Sequence, residues 1–89
     1  MSTNVSDWRA AIDLLDGQLL TLLNTRAKLA CELGKVKREA GMDIVDQDRE
    51  TQVLARIRQT NPGPLDEAAV ERIFVSIIHE ARRVQGEAE

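Results

Sequence analysis

From Ser6 to Ala40 the chain contains no proline, and apolar residues recur at Trp8, Ile12, Leu15, Leu19 and Leu22, then at Leu29, Leu33 and Val36. The steps alternate four and three, the spacing of a seam along which one helix packs lengthwise on another. Gly17 and Gly34 lower the local helix propensity without breaking the pattern. A helix of roughly 34 residues is about 50 Å long. A compact chain of 89 residues has a radius of gyration of only about 12 Å. The helix must therefore project from its own globule and leave its seam uncovered. The economical cover for such an apolar patch is a second copy of the chain, so a homodimer with paired long helices is expected.

The rest of the chain is punctuated as helices too. Its two prolines both fall in Asn61-Pro62-Gly63-Pro64, a loop signal. Ahead of that loop Val53, Leu54 and Ile57 mark a second helix, with Asp46 or Asp48 near its start. Beyond it Val70, Ile73, Phe74, Ile77, Ile78, Ala81 and Val84 make one apolar helix face. The expectation is an all-α domain spanning residues 1–89, with three helices at about 6–40, 46–59 and 66–85. Ser6 or Asp7 is the expected N-cap of the first helix, Gly41 its C′ residue, and the tail from Gly86 to Glu89 should fray.

Several function classes fall away on composition. Cys31 is the only cysteine and His79 the only histidine, so no disulfide framework and no multi-ligand metal site can be assembled. Cys31 reads as a small filler and His79 as a solvated surface residue. A net charge of −3 and two aromatics, Trp8 and Phe74, argue against nucleic acid. No apolar run is long enough for a membrane span, and the first residues carry no secretory signal, which makes the cytoplasm the expected compartment. No Ser-His-Asp set and no glycine-rich phosphate loop occurs. Covalent, metal-dependent and cofactor-dependent chemistry are not expected.

The seam itself breaks at one place. Between Leu22 and Leu29 it calls for an apolar residue, and the chain supplies Arg26. A guanidinium among leucines either snorkels outward, pairs with a carboxylate, or binds an anionic ligand. Lys37 lies eleven residues on, within about 20° of the same face and roughly 16 Å along the axis. Arg9 is about 25 Å from Arg26 on the same helix, rotated by about 100°, and cannot share a site with it. With two long helices antiparallel about residue 20, Arg9 of one chain would fall opposite residue 31 of the other, between Arg26 and Lys37. Asp46 and Glu50, four residues apart with Arg49 beside them, either line the same cleft or simply open a helix with favourable dipole charges. Gln85 continues the apolar face of the third helix seven residues after Ile78. Its amide marks a fraying end or a donor facing a cavity.

Taken together, Arg9-x-x-Ile12-Asp13-x-Leu15-Asp16-x-x-Leu19-Leu20-x-Leu22-Leu23, Arg26-x-x-Leu29-Ala30-x-x-x-Gly34-x-x-Lys37 and Asp46-x-x-Arg49-Glu50 resemble the all-helical chorismate mutases of the AroQ class. The likeness runs from about Trp8 to Gln85 and includes the Asn61-Pro62-Gly63-Pro64-Leu65 loop. It implies an intertwined three-helix homodimer and an isomerase that turns chorismate into prephenate, in aromatic amino acid biosynthesis, without a cofactor. It further implies that Arg26 and the partner's Arg9 bind the two substrate carboxylates, that Lys37 and Gln85 donate to the ether oxygen, and that Glu50 with Asp46 meets the ring hydroxyl. Arg49 lines the site. Ala81 stands where some members carry a serine, which removes one hydroxyl contact to the substrate.

Two other readings remain at this level. An isochorismate pyruvate-lyase shares the fold, although lyases tend to lack acids at the positions of Asp46 and Glu50. A non-catalytic dimerisation or regulatory module is the other, since mutase-like domains are also fused to, or bound by, other shikimate-pathway enzymes. The presence of every site residue except the serine argues against an inactive module.

Overall fold

Each helix starts on a short polar side chain that satisfies an amide left open by the first turn. In the computed structural model, which describes residues 4–86, Asn4 caps α1 (Val5–Glu39) by accepting from the Ser6 amide at 2.8 Å. Asp46 caps α2 (Gln47–Thr60) through the Arg49 amide at 3.0 Å, and Asp66 caps α3 (Glu67–Val84) through the Ala69 amide at 2.8 Å. The all-α expectation holds. Ser6 and Asp7 are not the cap of α1, because Asn4 already takes an extended conformation and its carbonyl accepts from Asp7 and Trp8. Of the tail expected to fray, only Gly86 falls within the described residues.

α1 ends as a Schellman turn: the Met42 amide bonds to the Lys37 carbonyl at 2.8 Å and the Gly41 amide to that of Arg38 at 3.1 Å. The turn needs a positive φ at its C′ position, and Gly41 supplies +70°. It sends the chain back along α1 toward α2. α2 and α3 then form an antiparallel hairpin. Asn61 braces its loop, accepting from the Gly63 amide and donating to the Leu65 carbonyl. Arg58 and Glu71 pair at 2.6 Å near that loop, and Val53 on α2 and Val70 on α3 are the buried apolar side chains of the hairpin.

α3 packs against both α2 and the C-terminal half of α1, whereas α1 and α2 do not pack on one another. The molecule measures 56 × 24 × 19 Å with a radius of gyration of 16.4 Å, well above the about 12 Å of a compact chain this long. The long dimension is that of α1. Among the described residues Val53 and Val70 are the only buried apolar side chains, while the seam residues Trp8 to Leu22 are all exposed and Leu29 reaches 67%. Exposure is also wider than the seam. Leu14 and Leu20 are 65% and 63% exposed and point roughly 110° and 130° to either side of it. No helix among the described residues is long and apolar enough to cross a membrane.

So little interior cannot offset the conformational entropy of ordering the chain on its own. At micromolar concentration, sedimentation equilibrium should return roughly twice the chain mass of 9.9 kDa. A folded, stable monomer would refute this.

Candidate active site

Because α1 and α2 lie apart on the two sides of α3, a cleft of about 300 Å³ remains between them. Arg26, Leu29, Ala30, Leu33 and Lys37 of α1 form one wall, and Asp46, Arg49, Glu50 and Val53 of α2 the other. Ile78, Ala81, Arg82 and Gln85 of α3 make the floor. Four cationic side chains against two carboxylates give this lining a formal charge of +2 in a chain that totals −3. Such a cleft concentrates anions locally.

Lys37 is tethered. Its Nζ donates to the Ile44 carbonyl at 3.1 Å, made available by the turn that ends α1, and this leaves two of its three protons for a ligand. Arg26 is half-buried, and among the described residues it has no carboxylate partner. Asp46 performs two tasks at once, capping α2 and lining the cleft. Glu50 is gripped by Arg82, whose Nε donates to Oε2 at 2.7 Å while a terminal nitrogen donates to Oε1.

Gln85 is the C-cap of α3 and is 8% exposed. Its Nε2 donates to the Ala30 carbonyl at 3.0 Å, which identifies the amide nitrogen and leaves a second N–H free of that bond. Its backbone carbonyl accepts from Arg38 Nη1 at 2.6 Å, and the neighbouring Val84 carbonyl lies 3.5 Å from Cys31 Sγ. Gly34 lets the two helices meet: a Cβ there would sit 3.2 Å from Gln85 Cγ and 3.3 Å from its Cβ. This is no fraying end, since the Gln85 amide, its backbone carbonyl and the Val84 carbonyl each meet a group on α1.

A model of the family described as chorismate mutase type II matches residues 8–86. The chain belongs to that family. It is 38% identical over 77 residues to a bifunctional chorismate mutase/prephenate dehydratase of Neisseria gonorrhoeae, covering 86% of this chain but only 21% of that relative. Its fold is similar to that of Thermus thermophilus chorismate mutase, with a TM-score of 0.90 at 27% identity over 91% of this chain and 92% of the other. A Helicobacter pylori chorismate mutase solved with prephenate aligns with a TM-score of 0.85 at 27% identity, over 94% and 91% of the two chains.

Of the positions that carry the chorismate mutase resemblance, Arg26, Lys37, Asp46, Arg49, Glu50, Ala81 and Gln85 all line the cleft. Arg9 does not, because it stands on the exposed N-terminal half of α1, away from its own chain's cleft. His79 is exposed and Cys31 half-buried, as their surface and filler readings require. Sequence reasoning missed Arg82 and Arg38. Arg82 had a usable signal, since it lies four residues after Ile78 on the same helix face that continues to Gln85. It is a charge on an apolar stripe, the same anomaly that singled out Arg26.

Gly34→Ala should press on the Gln85 stem and loosen its bond to Ala30. The Gln85 side-chain amide resonances should shift and activity fall on the order of 10-fold, with helical content retained. Unchanged resonances and turnover would show that the close approach is not needed.

Proposed function

We propose that this chain catalyses the intramolecular Claisen rearrangement of chorismate to prephenate, as a homodimer in which the partner's Arg9 completes each site. The observation that carries the reading is the convergence of Arg26, a tethered Lys37 and a buried Gln85 amide on one cleft of net positive charge. The reaction requires no nucleophile and no proton transfer. It requires a flexible dianion folded into a near-attack conformer, and cations spaced along the cleft enforce that fold. Arg26 and the partner's Arg9 take the two carboxylates, for which a planar guanidinium offers a bidentate grip.

As the carbon–oxygen bond breaks, negative charge grows on the ether oxygen. Lys37 and the second N–H of Gln85 are the donors that meet it, and both are held in place before the substrate arrives, so little reorganisation is needed in the transition state. Glu50, with Asp46 beside it, accepts from the ring hydroxyl. Those two acids favour the mutase over a lyase acting on the isomeric substrate. With Ala81 the floor offers no hydroxyl, so the substrate is held by charge and shape at that point.

The broad apolar exposure of α1 supports the dimer. Leu14 and Leu20 lie outside the seam, so the cover must wrap α1 on more than one side, which suits an intertwined partner better than a simple helix pair. The same cover would bring a second Arg9 along α1 from the opposite direction.

Purified protein incubated with chorismate should deplete it and yield prephenate; pyruvate release or no turnover would refute the reading. Lys37→Ala and Arg26→Ala should each lower kcat/KM by at least about 100-fold with the dimer intact, and near-normal activity in either would sink its assigned role. Arg9→Ala chains mixed with Lys37→Ala chains should regain activity, because one site of each heterodimer then has both residues. An inactive mixture of demonstrated heterodimers would argue that no site is shared.

A further inference from the structure

The functional reading assigns Glu50 to the substrate hydroxyl and makes no use of Arg82. Yet the guanidinium of Arg82 closes on both oxygens of that carboxylate, from a helix 32 residues further along the chain. The two side chains are 25% and 24% exposed, whereas the neighbouring Arg83–Glu80 pair is 60% exposed on each side. A two-point fork fixes the plane of a carboxylate and still leaves each oxygen a further lone pair. α2 and α3 are joined by a second ion pair as well, Arg58–Glu71, and each contributes a buried valine, Val53 and Val70. The charged groups around Glu50 are Asp46 and Arg49 on its own helix, Arg26 and Lys37 on α1, and Arg82 on α3. Of these, Arg82 is the cation in direct contact.

We propose that Arg82 is a positioning residue: it holds the Glu50 carboxylate in a single orientation, ready to accept a hydrogen bond from a hydroxyl of the bound dianion. The inference rests on the proposed function and extends it to the contact that receives the ring hydroxyl of the substrate. Removing the guanidinium should leave the Glu50 carboxylate free to turn, so that the substrate hydroxyl no longer meets a fixed acceptor.

The test is steady-state kinetics with chorismate for the wild type, Arg82→Met and Arg82→Lys, with the Tm of each. Arg82→Met should raise KM about 10-fold with kcat within about threefold. Arg82→Lys, which keeps the charge but not the two-point fork, should not restore KM. An Arg82→Met enzyme with wild-type KM overturns the proposal, as does a loss of kcat and KM together that follows a lower Tm. Should Arg82→Met not fold, a wild-type KM in Arg82→Lys overturns it equally. A wild type that does not convert chorismate overturns the functional reading itself. An active wild type with impaired Glu50→Gln and indifferent Arg82→Met overturns only the role of Arg82.

Discussion

Where α3 ends, the stem of Gln85 lies directly on α1 because Gly34 has no side chain to hold it away. Around that contact the Ala30 carbonyl takes the amide, Arg38 takes the last backbone carbonyl of the helix, and Cys31 approaches the one before it. The geometry of the cleft follows. With α3 pinned to α1 at this end and α2 held to the far side of α3, the two outer helices are kept apart, and the space between them is what a ligand can fill. A bulkier residue at position 34 would therefore disturb the wall of the cleft and its amide donor together.

The charges are arranged by the same scaffold. The chain is acidic overall, yet the carboxylates that reach the cleft are already engaged: Asp46 with the Arg49 amide in the first turn of α2, Glu50 with Arg82. Arg26 has no such partner among the described residues, and Lys37 spends one proton on a backbone carbonyl, which is neutral. Pairing the acids internally while leaving the cations on α1 uncompensated produces a positive cleft without a basic chain. Charge-assisted bonds formed there by an entering dianion replace water at groups that have no competing counter-ion.

How much of this could be read from the residues differs by element. The long α1 was legible because 35 residues of consistent periodicity leave no other solution, and Arg26 was legible because it violates that periodicity. The α2 cap was legible only as an alternative: Asp46 turned out to serve the helix and the cleft together, so neither reading alone was right. Arg38 was invisible, since a basic residue in the last turn of a helix is explained by the helix dipole alone and nothing local says that its guanidinium reaches a carbonyl 47 residues later. Arg82 sits between these cases. Its position on the α3 stripe was readable, but its partner is set by how the hairpin closes, which depends on the loop from Asn61 to Leu65 and on the Arg58–Glu71 pair.

Arg9 joins the architecture to the chemistry. It is carried on the half of α1 that its own chain leaves bare, about 25 Å from the cleft, so on the proposed reading a single chain presents a cleft short of one cation and a helix short of a cover. On the proposed reading one event supplies both, because the surface that covers the leucines of α1 also delivers the missing guanidinium. A dianion gripped by residues from two chains then binds the assembled state and not the separated one, and by mass action its binding energy adds to the stability of the assembly. Affinity for the substrate and affinity between the chains become linked quantities, and a substitution at Arg9 acts on both even though it removes no contact within its own chain.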